Sequence, residues 1–277
     1  WNANNFLIQN KCNLKNAKKL PKLKVNINKW IYFELLETSN LIKKNIEDYR
    51  FDEAAKNAYH FAWHKYCDWY LELSKTILFS DNLKAKNEVK EVSAFVFRQI
   101  LIMLHPFIPF VTEKIWLTNK FDNKNKNFLM LSNWISGKSK KDSDHKQVQQ
   151  IIDIISEIRS FKNELNVSPG SFIDISINSI KKNNQNFMIN NEIIIKKLGR
   201  INNFFKKDQN KPAASLIISG DLFKIYFDEN VDLNAIKENL LKRQNKYQEE
   251  MDKISQRLSN KGFVQRAPKD IVQQEKT

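Results

Sequence analysis

The stretch 60–72, HFAWHKYCDWYLE, gathers two histidines, a cysteine and an aspartate into nine positions. His60 and His64 stand four apart and so share a helix face, a spacing that can bind zinc. The metalloprotease form of that motif carries a glutamate directly after the first histidine as general base; here Phe61 stands there. Asp68 and Cys67 are the candidate third ligands. On an α-helix, however, His60, His64 and Asp68 face away from Trp63, Cys67 and Tyr70. A Cys67–His64 nucleophile pair needs an oxyanion hole and an orienting group. The chain has five glycines, and none lies near this stretch. The structural reading places Trp63, Cys67, Tyr70 and Ser74 in a buried seam, with Cys67 as a small apolar filler. The histidines are then exposed or hydrogen-bonded, and no metal is expected.

The elements that must position these residues are mostly helical. Trp30, Phe33, Leu35, Leu41, Ile42, Ile46 and Tyr49 recur at helical spacing over 28–49. Asp52 is expected to cap a second helix running to about Phe79, with Glu53 in its first turn. A third helix spans about 84–105. The 105–109 stretch, HPFIP, must bend the chain there, because proline lacks a backbone donor and clashes with the preceding turn. Pro109 suits the first turn of the next helix, 109–119.

The pattern changes after a helix at about 145–165. Residues 171–177 read as a strand, 183–197 as a short helix, and 201–206, 214–219 and 222–227 as strands, with Gly220-Asp221 as a hairpin turn. From Val231 the period is seven: Leu233, Leu240, Tyr247 and Ile254 repeat one heptad apart, beside Ile236, Met251 and Leu258. Gly262 suits a left-handed helix cap, and Pro268 opens another helix. The expected fold is mainly α: a helical bundle over 1–140, a small α+β unit over 141–230 and a coiled-coil arm over 231–277. Trp1 falls inside a helical pattern, so the chain reads as a piece of a longer polypeptide.

The net charge is +15 over 277 residues, which favours a polyanionic partner. AT-rich coding inflates lysine, asparagine and isoleucine together and supplies a competing explanation. Clustering is the better sign: residues 11–29 hold seven lysines and no acid. No apolar run approaches the ~20 residues that span a bilayer. Two cysteines 55 positions apart make neither a disulfide framework nor a zinc pattern, which suits a reducing cytoplasm.

Five stretches carry a family resemblance. Residues 49–55 (YRFDEAA) and 61–75 (FAWHKYCDWYLELSK) resemble the anticodon-binding helix pair of class I aminoacyl-tRNA synthetases. Residues 104–116 (LHPFIPFVTEKIW) resemble that family's next signature. Residues 258–272 (LSNKGFVQRAPKDIV) resemble the tip of the C-terminal coiled-coil arm of the valyl branch, and 1–6 (WNANNF) the start of its anticodon domain. The family's ATP-binding HIGH and KMSKS motifs and its editing domain are absent here. The second helix of the arm has only about ten residues. An isoleucyl-type origin would bring cysteine pairs near the C-terminus, and none follows Cys67.

The resemblance implies a tRNA-binding portion of a cytoplasmic ATP-dependent ligase, with tRNA as partner and a monomeric parent. Anticodon bases are splayed out and read at their edges, which needs an apolar platform and a few hydrogen-bonding groups. Phe6 and Leu71 are the candidate platform, and Glu72 accepts from an exocyclic amine such as cytosine offers. Asn2 joins them on the first helix. Lys11, Lys15, Lys18 and Lys19 are expected on phosphates. Lys253, Arg257, Lys261 and Arg266 are expected to brace the outer corner of the tRNA. No catalytic residue and no cofactor is expected within these residues; ATP belongs to the parent. The alternatives are a stand-alone RNA-binding protein derived from a synthetase, and a coiled-coil scaffold without an RNA role.

Overall fold

A computed structural model describes the chain except residues 122–127, 139–140, 209–211, 228–230, 260–272 and 274–277. The expected fold class holds: the described residues are mainly helical, with a small mixed sheet. They divide into two compact units, 1–156 with 188–198, and 157–187 with 199–277.

The first unit is a helical bundle. It contains α1 (Asn2–Gln9), a 3-10 turn (Leu14–Asn16), α2 (Asn26–Glu47), α3 (Phe51–His60), a π-helical segment (Phe61–Leu71), α4 (Glu72–Leu78), α5 (Leu83–Leu104) and α6 (Pro109–Asn119). α5 is the central helix. Twelve of its residues are buried, from Val89 to Met103, and α1, α2, α3, α4 and α6 all pack on it. Asn82 caps its start, accepting from the Ala85 amide at 3.1 Å. At its other end Pro106 stops the helix, and His105 Nδ1 lies 2.8 Å from Thr112 Oγ1 across the corner into α6. Pro109 takes the first turn of α6, as the sequence predicts.

Two expectations need correction. Asp52 is not a cap: α3 begins at Phe51 after Arg50, with no side-chain cap, and Asp52 and Glu53 lie in its first turn. There their charges favour the positive helix end. Nor do Trp63 and Cys67 belong to the buried seam. Residues 61–71 wind as a π-helix, whose turn takes about 4.4 residues instead of 3.6 because its hydrogen bonds run i to i+5. The seam becomes Phe61, Tyr66, Tyr70 and Leu71, all at most 5% exposed, while Trp63 is 55% exposed. Ser74 remains buried on α4.

Helix ends are closed in an unusual way for a chain with five glycines. Lys11, Tyr49, Lys120 and Asn166 all take positive φ, between 54° and 58°. At each, the next amide reaches back five residues: Cys12 to Leu7, Arg50 to Asn45, Phe121 to Trp116 and Val167 to Lys162. This is the Schellman closure that glycine usually serves.

α7 (Ser143–Glu164) begins in the first unit and ends in the second. The second unit holds a sheet of β1 (Ile173–Ser176), β2 (Ile201–Phe205), β3 (Ala214–Ile218) and β4 (Asp221–Phe227), in the order β2-β1-β4-β3. β1 is parallel to β2, whereas β4 is antiparallel to β1 and β3. The hairpin turn is Ser219-Gly220, both at positive φ, and Asp221 already pairs with Ile218 in the strand. That shifts the expected turn by one residue. The helix expected at 183–197 is two helices, α8 (Lys182–Asn190) and α9 (Glu192–Gly199). Asn191 breaks them apart, and its carbonyl accepts from the Ile195 amide. α10 (Leu233–Ser259) carries the heptad stripe, and none of its residues is buried. The expected Gly262 cap and the helix from Pro268 lie outside the described residues.

Lys162 is the buried cation among the described residues of this unit. It is 2% exposed, and its ammonium donates to the carbonyls of Ser171, Gly199 and Arg200 at 2.9, 3.0 and 3.2 Å. The cation therefore ties the end of α7 to two chain segments flanking the sheet. Burial pushes its pKa down to about 8, helped by the charges of Arg200 and Arg159.

Candidate nucleic-acid interface

α1 is held by a short polar contact and one apolar anchor. Asn119 Nδ2 of α6 donates to Asn4 Oδ1 at 2.6 Å, and Leu7 is fully buried. Asn2 and Phe6, one helical turn apart, therefore share a face that is not fixed inside the bundle. Asn2 is exposed and Phe6 half-buried.

A polar chain, buried at its tyrosine end, ties the π-helical segment to α2 and α5. Glu88 of α5 accepts from the Lys24 and Val25 amides and from Asn28 Nδ2, at 2.8 to 2.9 Å, and so serves as a tertiary cap for α2. Asn28 Oδ1 accepts from the Tyr70 hydroxyl at 2.7 Å, and the Tyr66 hydroxyl donates to the Ser93 carbonyl at 2.8 Å. With Tyr66 and Tyr70 pinned, α4 starts with Glu72 directed out of the core. Glu72 Oε1 accepts from Lys75 Nζ at 2.5 Å, and that ammonium sits 5.8 Å from the centre of the Phe6 ring. The structure thus joins Phe6 and Glu72 through Lys75, a residue the sequence reading missed. Its spacing three after Glu72 was the available signal. Leu71 lies next to them in sequence but is only 5% exposed, so it supports the site from the core and offers no open face.

The lysine cluster is displayed by two small anchors. Leu14 and Ala17, three apart, are buried at 7% and 3% exposure, and the 3-10 turn packs on α5. Lys11, Lys15, Lys18 and Lys19 around them are exposed. Cys12, in the same stretch, is no nucleophile: burial lifts its thiol to about 11, though Lys90 partly offsets this. Burial likewise raises the Cys67 thiol, and the Asp68 charge adds to it. His64 Nδ1 meets Asp68 Oδ2 at 3.0 Å, and the His60 ring lies 4.9 Å from the His64 ring. Burial, then the neighbouring His64 and Lys65, lowers the His60 pKa. Among the described residues no group of three His, Cys, Asp or Glu is arranged to hold a metal ion. Nor is any described helix long and apolar enough to cross a membrane. Lys253 and Arg257 are exposed on α10. Lys261 and Arg266 lie outside the described residues.

A bundle that displays a half-open aromatic ring, a carboxylate and a band of lysines has the makings of a surface for single-stranded RNA. Residues 28–177 match the family model for the anticodon-binding domain of tRNA ligases, and the chain belongs to that family. Residues 232–277 match the valyl tRNA synthetase tRNA binding arm. The chain is 69% identical over all 277 residues to a valine–tRNA ligase of Pelagibacter ubique, covering 32% of that protein. It is 32% identical to the valine–tRNA ligase of Bartonella quintana and 31% to that of Brucella suis biovar 1, again over 100% of this chain and 31% and 30% of theirs. The chain thus spans about a third of the length of these curated relatives and aligns with their C-terminal portion. The resemblance read from those stretches is borne out, and a scaffold without an RNA role is not favoured.

Proposed function

We propose that these residues are the tRNA-binding portion of a valine–tRNA ligase. The bundle reads the anticodon of valine tRNA, and the arm braces the outer corner of the same molecule. The whole enzyme joins valine to that tRNA in the cytoplasm with ATP as a substrate, acting as a monomer. The observation that carries the reading is the Phe6–Lys75–Glu72 arrangement, together with the acid-free run of lysines at 11–29.

The roles divide by chemistry. Glu72 accepts a hydrogen bond from an exocyclic amine at a base edge. Phe6 offers a stacking face, worth ~1–3 kcal/mol per base, and Asn2 extends that face by one turn. Leu71 keeps its place in the site as packing beneath Glu72. Lys11, Lys15, Lys18 and Lys19 hold phosphates, which position the RNA without reading it. Lys253, Arg257, Lys261 and Arg266 do the same for the corner. The bundle, the α+β unit and the arm act over 1–140, 141–230 and 231–277. Filter binding of the 277-residue chain to valine tRNA and to a tRNA with a different anticodon tests the proposal. A clear preference for valine tRNA is expected; equal binding of both would remove the base-reading role.

A further inference from the structure

α4 presents a second aromatic ring beyond the Phe6–Lys75–Glu72 arrangement. Phe79 directly follows the helix, and its amide donates to the Lys75 carbonyl at 3.2 Å, so the helical turn continues through it. Four residues after Lys75 and seven after Glu72, Phe79 stands on the same face of α4 as both. Leu73, Ser74 and Leu78 anchor the helix in the core, whereas the Phe79 side of it is open: the residue is 74% exposed.

A cation attends this ring. Lys197 of α9, in the same compact unit, brings its ammonium to 5.6 Å from the ring centre. Its neighbour Lys196 takes Glu192, the acid of that helix, at 2.7 Å. Lysines also approach Trp30, Phe33 and Phe6, but the first two rings are buried and the third half-buried. Phe79 keeps an open face beside its cation.

An exposed phenylalanine is by itself ordinary on a protein surface. Its position and company set this one apart. The helical rise puts Phe79 ~10 Å along α4 from Glu72, about three nucleotides at the ~3.4 Å spacing of a stacked strand. If Glu72 meets a base of the triplet, the ring falls level with a base at the triplet's border. An open ring with an ammonium beside it also matches what a single strand offers, a base face and a phosphate.

We propose that Phe79 and Lys197 form a second contact with the anticodon loop, the ring stacking on an unpaired base that flanks the triplet and the ammonium holding a neighbouring phosphate. The proposal rests on the RNA-binding reading above. It adds a contact that grips the loop without reading the triplet, because every base has a face to stack.

Filter binding of the 277-residue chain to valine tRNA, to a mismatched tRNA and to hairpins of the valine anticodon stem and loop tests it. Phe79→Ala should weaken both tRNAs by about 5- to 100-fold and leave the melting temperature unchanged. Phe79→Tyr should keep the affinity, and Phe79→Leu, apolar but without a ring, should behave as the alanine variant does. Lys197→Met should flatten the salt slope by about one contact. Hairpins lacking the base just 5′ or just 3′ of the triplet locate the partner: on one of the two, Phe79→Ala should cost nothing further. The proposal is overturned if Phe79→Ala or Phe79→Leu binds both tRNAs as the unaltered chain does. It is also overturned if the alanine loss is equal on the intact and both abasic hairpins, or if Lys197→Met leaves the slope unchanged. If Phe6→Ala still weakens valine tRNA in those cases, the RNA-binding reading stands without this contact. If the unaltered chain binds neither tRNA, both fall.

Discussion

The Lys75 ammonium lies 5.8 Å from the centre of the Phe6 ring while holding Glu72 at 2.5 Å, so one cation couples the aromatic ring proposed to stack on a base to the carboxylate proposed to accept at its edge. In the free protein Glu72 is already engaged, and an incoming base amine must share it. Glu72→Gln should therefore lower the preference for valine tRNA over a mismatched tRNA by ~1–3 kcal/mol. Lys75→Met should weaken both tRNAs alike, since it removes a charge and no base contact. The ratio of the two dissociation constants decides; an unchanged ratio in the Glu72 variant would leave this carboxylate a purely structural role.

Binding should fall steeply with salt. Each neutralised phosphate contributes a slope of about −0.9 in log affinity against log salt for duplex RNA or DNA, and less for single strands. With about five contacts, affinity should drop well over tenfold between low and moderate salt. Lys15→Ala and Lys19→Ala should each flatten that slope by about one contact and leave the preference among tRNAs intact. Salt-independent binding would contradict the phosphate role of the cluster.

Removing one hydroxyl should loosen the bundle. Tyr70→Phe leaves Asn28 Oδ1 without its donor at a position with no solvent exposure. The expected loss is about 1–3 kcal/mol, the cost of an unsatisfied buried acceptor. Urea unfolding followed by helical circular dichroism reads it. A variant as stable as the parent would mean that the polar chain from Glu88 to Tyr70 does not hold the π-helical winding.

Lys162 should impose a pH dependence of its own. Burial holds its pKa near 8 in the fold, against 10.5 when free. Between those two values the unfolded chain binds the proton that the folded chain has lost, so this residue's contribution to stability rises with pH across that window. It is complete above about 10.5 and is lost as pH falls through 8. The stability of the parent relative to Lys162→Met should therefore climb from pH 8 to 10.5 and be flat below 8. A difference that is flat throughout would place the ammonium in contact with water.

α10 should be the least protected helix. Leu233, Leu240 and Tyr247 are 48%, 42% and 56% exposed, and no described element covers the stripe. A lone helix of this kind is marginal in water. Hydrogen exchange at 233–247 should be fast in dilute solution and slow as concentration rises. Uniformly slow exchange in a proven monomer would mean that the stripe is covered.

The helices at 28–49, 84–105 and 109–119 were legible because local signals agreed with the fold: a 3.6-residue apolar period, the proline-bearing break at 105–109 and Pro109 at a first turn. The seam of 61–71 was misread because a 3.6-residue period was imposed on a π-helical stretch. The spacing of Phe61, Tyr66 and Tyr70, five then four, was the available clue. The cap on α2 was beyond reach, since Glu88 arrives from a helix sixty residues away in sequence. At the candidate site the family resemblance supplied Phe6 and Glu72; the pairing of Lys75 with Glu72 was signalled by their spacing of three, whereas the approach of Lys75 to Phe6 and the burial of Leu71 follow only from packing.

The four helix ends closed by Lys11, Tyr49, Lys120 and Asn166 bear on how this chain meets heat. A left-handed conformation costs an L-residue roughly 1–2 kcal/mol, least for asparagine, and glycine escapes it. Glycine at Tyr49 or Lys120 should therefore lift the melting temperature while leaving the 11–29 lysine band unaltered. Lys11 is different, because its strained backbone also displays one of the cluster's charges. The protein thus keeps a reserve of thermal tolerance at its helix ends, open to adaptation without any change to the lysine band.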